Sequence, residues 1–312
     1  MNLQNIVLKH FKCLVVIVCA IIGILVLFII TFDGEACPKS PPNRLGRIPI
    51  DFKEETLEIV ETRLSVPLQP GGWFAPKECR ANHRVAIVVP KRGREYMLPT
   101  FLKNMHAMLM KQQIEYGIYV VEQPLDQDFN RGALFNIAFK EALKMKQWDC
   151  FIFHDIDMIP FDDRNLYNCP SNDGPRHMAV GVDKFGFKLP YEAFYGGIIA
   201  YTTEQFKNIN GFSNMFWNWG GEDNDLCKRS ENAGYILTRP SPDIAVYYSL
   251  PHREEKRNPN RFKQLKESKV NFNISGLNSL DYHIKDFKIK PTHVHIFIDH
   301  MKMEEPGKKR WT

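Results

Sequence analysis

Between residues 84 and 154 the chain alternates unbroken apolar runs with segments of helical period, and this alternation restricts it to an open α/β sheet. Arg84–Val89, Tyr116–Val121 and Cys150–Phe153 read as strands apolar on both faces, as in a parallel sheet covered by helices. Leu98, Phe101, Leu102, Met105 and Met108 recur at helical spacing after the first run. Ala133–Lys146 then places Leu134, Ile137, Ala138 and Leu143 on roughly one face of a second helix. Beyond about residue 160 the pattern loosens into short, aromatic-rich elements, with a late strand at Val294–Ile298. The Rossmann glycine fingerprint and the G-x-x-x-x-G-K phosphate loop are absent from the sequence, as are internal repeats. A length of 312 residues leaves room for one large catalytic domain plus a short accessory segment. The net charge of +5 is small for that size, and no zinc-finger or RNA-binding spacing occurs, which argues against nucleic acid as a partner.

Ahead of the sheet, Cys13 to Phe32 form twenty consecutive uncharged positions rich in Val, Ile, Leu and Phe, the length of a bilayer-spanning helix. The apolar stretch is too long for a cleaved signal peptide, so the sequence predicts a signal anchor over 13–32 behind a cytoplasmic tail over 1–12. Lys9 and Lys12 before the span favour an inside N-terminus, whereas Lys39, Arg44 and Arg47 after it weaken that bias. Pro41, Pro42, Pro49, Pro67, Pro70, Gly71 and Gly72 mark residues 33–80 as a stem, leaving 81–312 as the lumenal domain. Outside the span lie Cys37, Cys79, Cys150, Cys169 and Cys227, with no C-x-x-C pair, which argues against a zinc or thioredoxin-like centre. Two disulfides plus one thiol, fitting an oxidising lumen, and five buried thiols are both compatible with that count. Asn273-Ile-Ser275 is a sequon.

Two motifs carry chemistry. The third strand runs into His154-Asp155-Ile-Asp157, where ligands of open α/β sheets bind, and paired hard carboxylates suit Mn²⁺ or Mg²⁺. The second, Phe216-Trp-Asn-Trp-Gly-Gly-Glu-Asp-Asn-Asp225, joins aromatic faces that stack on sugar rings to carboxylates that accept from hydroxyls. It also opens a helix running to Asn232, with acidic residues in its first turn. An N-capped helix accounts for one or two of these acids but not for the Trp-x-Trp-Gly-Gly before them. Arg92 and Arg94 follow the first strand, where guanidinium groups suit a diphosphate or simply face solvent. Tyr195-Gly-Gly197 forms a flexible turn, and His252 stands in a polar loop as a candidate ligand. His293 and His295 read as surface residues.

Taken together, these motifs resemble the β-1,4-galactosyltransferase family from about residue 72 to the C-terminus. The resemblance is densest at Val85–Arg94, Tyr116–Gln123, Phe129–Arg131, Phe153–Pro160, Asp183–Pro190, Gly196–Gly211, Trp217–Asp225 and Gly276–Leu280. It implies a GT-A type α/β domain behind a single-pass type II anchor in the Golgi membrane. It further implies inverting transfer from a UDP-sugar to a glycan ending in N-acetylglucosamine, on glycoprotein or glycolipid, with a protein partner able to alter acceptor choice. By motif, Asp157 and His252 match metal ligands, while Pro90, Arg92, Arg94, Phe129, Arg131, Asp155, Lys184, Phe194 and Gly197 match donor positions. Trp219 and Glu222 match the sugar site and Asp223 the catalytic base. Tyr191, Asn224, Arg261, Phe262 and Leu265 match acceptor positions. Cys37–Cys79 and Cys150–Cys169 match the family disulfides, which leaves Cys227 free.

Four positions depart from that pattern. Ser249 replaces a metal-binding methionine with a harder ligand, which lowers metal affinity or moves preference towards Mg²⁺. Asn224 replaces an aspartate, and Lys91 a phenylalanine. Phe194 lacks the hydroxyl of a tyrosine that bears on whether the donor carries a 2-acetamido group. Galactose from UDP-galactose is the expected donor sugar, with UDP-N-acetylgalactosamine as the alternative. An inactive glycan-binding family member and a glycoside hydrolase are the remaining rivals.

Overall fold

The computed structural model describes residues 34–302, so the anchor read at 13–32 lies outside the described residues. No helix among the described residues is long and apolar enough to cross a membrane. In chain order the elements are α1 (Leu57–Leu64), β1 (Arg84–Lys91), α2 (Leu98–Leu109), β2 (Glu115–Glu122), α3 (Arg131–Met145) and β3 (Cys150–His154). There follow β4 (Met158–Pro160), β5 (Arg176–His177), β6 (Gly181–Val182), β7 (Ile198–Thr202), α4 (Thr203–Asn208) and α5 (Glu222–Asn232). The last are β8 (Val246–Ser249), α6 (Arg261–Asn271), β9 (Tyr282–Ile289) and β10 (Val294–Met301).

A seven-stranded sheet has the order β5-β7-β3-β1-β2-β10-β9. Its centre is parallel, since β1 pairs in parallel with both β2 and β3, and β10 in parallel with β2. Antiparallel β7, β5 and β9 close the flanks. Alternate residues of a strand face opposite ways, and β1 shows the consequence. Val85, Ile87 and Val89 pack with Phe101, Leu102 and Met105 of α2. Ala86 and Val88 face the other way, into the layer of Leu134, Ile137 and Ala138 on α3. Phe153 anchors this second layer with ring centroids 5.2, 4.3 and 5.6 Å from Phe135, Phe206 and Phe212. Truncating such a residue to alanine costs about 3–5 kcal/mol.

The segment read as a stem packs against this domain from Gly34 onwards. Thr56 caps α1 by accepting from the Ile59 amide, and α1 buries Val60 and Leu64 against the α2 side of the sheet. The disulfide Cys37–Cys79 ties the start of the segment to its end, and the Leu45 and Gly46 amides donate to Asp163 at 2.8 Å each. Proline and glycine keep most of the stretch irregular, but irregular chain still packs when Val60, Leu64 and Leu68 can be buried. A second disulfide joins Cys150, the first residue of β3, to Cys169, and Cys227 is free. A three-stranded sheet, β4-β8-β6, lies beyond the end of β3.

Candidate active site

β3 delivers the first motif. His154 is fully buried between the Asp155 carbonyl and the Tyr167 hydroxyl, and burial pushes its imidazole down to about 4, so it is a neutral structural group. Asp157 follows on the turn into β4. The antiparallel pairing of β4 with β8 sets Met158 opposite Ser249, and this register brings the residues around Ser249 to Asp157. Ser249 Oγ donates to Asp157 Oδ2 at 3.1 Å, and His252 Nε2 lies 3.2 Å from the same oxygen. Lys184 Nζ stands 3.8 Å from Oδ2 and Arg94 Nη1 3.9 Å from Oδ1. Burial pushes the Asp157 carboxyl up, but His252, Lys184 and Arg94 together override it and hold the group well below the usual carboxylate range.

These residues fit a hard divalent cation. His252 Nδ1 lies 2.8 Å from the Arg253 carbonyl, which can only accept, and 3.1 Å from Arg94 Nη2, which can only donate. In the tautomer that donates to the Arg253 carbonyl, a bare Nε2 faces a carboxylate oxygen at 3.2 Å, lone pair to lone pair. Either a second proton or a cation between them resolves that repulsion. A carboxylate, an imidazole and a hydroxyl form an oxygen and nitrogen donor set of the kind Mn²⁺ and Mg²⁺ accept. Contact with Asp157 also raises the affinity of His252 for a proton.

The second motif meets the first through Arg131. Asn130 caps α3 by accepting from the Ala133 amide, which fixes Arg131 as the first residue of the helix. Arg131 Nε donates to Asp155 Oδ1 at 2.6 Å, and Nη1 donates to Asp223 Oδ1 at 2.7 Å and towards Glu222 Oε1 at 3.4 Å. One guanidinium thus joins the end of β3 to the first turn of α5. Burial, then the neighbouring Asp223, pushes Glu222 up to about 7. Gly221 precedes α5 at φ 105°, a left-handed conformation that a side chain resists, and this turn aims Glu222 and Asp223 inward. Gly196 is needed for close approach, since a Cβ there would come within 3.0 Å of Asp223 Oδ2 and 3.1 Å of the Phe194 ring. The Asp155 amide donates to the Gly197 carbonyl at 3.1 Å, which ties the same turn to the carboxylates.

Aromatic groups border this cluster. Phe194 is flanked by Tyr191, His177 and Phe185 with centroids 5.5, 5.6 and 5.9 Å away, and Tyr191 is exposed. Trp219 is 54% exposed and Phe262 64%, so both rings are available to a ligand. Arg261 lies over the Phe262 ring at 4.4 Å, and both stand with Leu265 on α6. Asn224 is half-buried in the first turn of α5. Arg92 lies 5.3 Å over the Phe129 ring just after β1, which includes Pro90 near its end.

The structure corrects one surface assignment and reveals groups the sequence reading missed. His293 is 1% exposed rather than a surface residue, because it lies against α1, with Nδ1 4.0 Å from Glu61. His295 is partly buried and contacts Glu122 at 2.7 Å. Lys91 turns away from Arg92 and Arg94 to pair with Glu122 at 2.7 Å and Glu95 at 2.9 Å. It lines a cavity of about 920 Å³ between Phe52, Leu98 and Pro251 that does not overlie the carboxylate cluster. Glu255, a loop residue with no motif around it, reaches Arg92. Asp225 accepts from Arg229 Nε at 2.6 Å and from Ser268 of α6, a link whose only sequence signal is the spacing of four between Asp225 and Arg229. Asn273 of the sequon is exposed while Ser275 is buried.

Comparison with known proteins places this geometry. Residues 37–170 match the N-terminal region of glycosyl transferase group 7, and residues 176–253 match the N-terminal domain of galactosyltransferase. The chain is 44% identical over 253 residues to β-1,4-galactosyltransferase 5 of Danio rerio and to β-1,4-galactosyltransferase 6 of Homo sapiens. It is 41% identical over 268 residues to β-1,4-galactosyltransferase 1 of Mus musculus. These matches cover 80–85% of this chain and 66% of each relative's own length. The crystal structure of the catalytic domain of Drosophila β-1,4-galactosyltransferase 7 with xylobiose superposes at a TM-score of 0.60 and 29% identity, covering 71% of this chain and 94% of that one. A mutant of that protein, in complex with manganese, UDP-Gal and xylobiose, superposes at 0.58. The chain belongs to the β-1,4-galactosyltransferase family.

Proposed function

We propose that this protein is an inverting, metal-dependent GT-A type glycosyltransferase that moves galactose from UDP-galactose to the 4-hydroxyl of a terminal N-acetylglucosamine. The observation that carries the reading is the junction at Arg131, where Asp155, Glu222 and Asp223 meet a few residues from the Asp157, His252 and Ser249 set. Asp157 and His252, with Ser249, would hold Mn²⁺ or Mg²⁺. When bound, the ion supplies neutralisation of the charge that develops on the UDP leaving group. Arg92, Arg94 and Lys184 are the cationic groups for the diphosphate, and Phe129 offers a ring face to the base. Asp155 and Glu222 accept from donor-sugar hydroxyls. Asp223, oriented by its bond to Arg131, takes the proton from the acceptor 4-hydroxyl as that oxygen attacks the anomeric carbon. Attack opposite the leaving group turns an α-linked donor into a β product. Tyr191, Trp219, Arg261, Phe262 and Leu265 line the acceptor side. The loop carrying His252 excludes water, which would otherwise hydrolyse the donor.

The working location is the Golgi lumen behind the 13–32 anchor. The two disulfides and the exposed Asn273 are what support an oxidising, glycosylating compartment.

A second reading, N-acetylgalactosamine transfer, is favoured by Phe194, whose ring has no hydroxyl to fill the space beside a 2-acetamido group. Incubation of the full chain in detergent with an N-acetylglucosaminide and Mn²⁺ decides between them. Faster transfer from UDP-galactose supports the first reading, and faster transfer from UDP-N-acetylgalactosamine supports the second. No transfer from either, with Mn²⁺ or Mg²⁺ and across several acceptors, removes both.

A further inference from the structure

We infer that Glu255 sets donor affinity by competing with the donor's diphosphate for Arg92 and Arg94. The inference rests on the donor-site reading above and adds to it a residue of this chain that opposes binding. Glu255 Oε2 lies 2.5 Å from Arg92 Nη2, and Glu255 Oε1 lies 3.7 Å from Arg94 Nη2. One carboxylate therefore spans both guanidinium groups, one oxygen to each, which is the demand a bridging diphosphate would make on them. The three side chains are only 15–18% exposed, so water screens this pairing weakly.

Other groups of this chain also contact the two arginines. Arg92 Nη1 donates to the Gln127 carbonyl, and its guanidinium lies over Phe129. Arg94 Nη1 lies 3.9 Å from Asp157 Oδ1, and Nη2 borders the His252 ring at 3.1 Å. An anion that bridges Arg92 Nη2 and Arg94 Nη2 must displace Glu255. Gln127 and Phe129 still hold Arg92 once Glu255 leaves, so the clamp is preformed for the exchange. Glu255 sits three residues after His252 in the segment between β8 and α6. That segment is fastened on its far side, where the Trp219 amide donates to the Lys256 carbonyl at 2.8 Å and Arg257 covers the Trp219 ring. Seating Glu255 on the arginines thus ties this loop to the donor side of the site. The opposite role, in which Glu255 aligns the arginines for the donor, reverses the sign of the effect.

Isothermal titration of the full chain in detergent with UDP and Mn²⁺, and separately with uridine, tests this. Glu255→Gln is expected to bind UDP about tenfold more tightly than the wild type, with uridine changed by less than about twofold. Unchanged or weaker UDP binding by a folded Glu255→Gln variant overturns the inference, and equal tightening of uridine does so as well. Should Glu255→Gln not unfold cooperatively, Glu255→Asp serves in its place. Its shorter carboxylate releases Arg94 and tightens UDP by a smaller factor, and no gain there counts against the proposal. A wild-type chain that fails to bind UDP at all removes the donor-site reading itself. That result is distinct from a wild type that binds normally beside an unaltered variant.

Discussion

Asp223 and Glu222 are neighbours in sequence but stand in different surroundings. Asp223 is partly exposed and hydrogen-bonded to Arg131, while Glu222 is buried with one oxygen lacking a partner. Asp223→Asn keeps the shape but cannot accept a proton, so kcat should fall by roughly 10²–10⁴ while UDP binding stays the same. Single-turnover kinetics beside a UDP titration checks this. The raised Glu222 group has a pH consequence whose sign follows from proton counting. Between about pH 4.5 and 7 the folded state holds a proton at Glu222 that the unfolded chain has lost, so stability falls as pH rises through that window. Glu222→Gln should flatten this decline, and thermal unfolding from pH 5 to 8 without ligand would show it. If the variant keeps the wild-type slope, burial of Glu222 is not its source. Both carboxylates were legible in the sequence because they follow Trp-x-Trp-Gly-Gly. Glu255 was not, since a glutamate in a charged loop carries no local sign of which cation it will meet. His293 was misplaced for a related reason. It sits at the start of a strand, and only the packing of α1 decides which side is covered.

Among the elements, the parallel centre was the most readable. β1, β2 and β3 are buried on both faces, so their apolar runs are continuous, and the expected strands agree with the observed ones to within two residues. β9 was missed because an edge strand with one solvated face carries little apolar signal. Its residues His283, Lys285, Phe287, Lys288 and Ile289 are exposed, and it exists by pairing with β10. α5 and α6 depend on a link that no periodicity announces. Asp225 holds Arg229, which is fully buried, and Ser268 across the helix pair. Asp225→Ala would leave a buried guanidinium without its counter-ion, at a cost of about 3–5 kcal/mol. Chemical denaturation should report a lowered midpoint of that size. Asp225→Asn, which keeps hydrogen-bond acceptance, should recover part of it.

For the molecule as a whole, the defining event is convergence at one end of the sheet. Residues from the end of β3, α3, α5 and the segment after β8 meet although they are spread from Arg131 to Glu255. Chelation of divalent ions should reduce transfer by roughly a hundredfold or more, since the ion accounts for several kcal/mol of charge stabilisation, and Mn²⁺ should restore it. Full activity in excess chelator would exclude metal-dependent transfer. The alternation of apolar runs determined the sheet, because burial on two faces demands that pattern and nothing else in the chain satisfies it. Local chemistry likewise marked Asp155, Asp157, Glu222 and Asp223, whose residue types and adjacent glycines are visible without coordinates. Only the tertiary structure decided that Arg131 would join the two motifs, that Ser249 would reach Asp157 through the β4–β8 register, and that Glu255 would take the arginines. Those contacts are between residues distant in sequence. Their energies depend on which charges lose water together, a property of the packed molecule that no short stretch of chain contains.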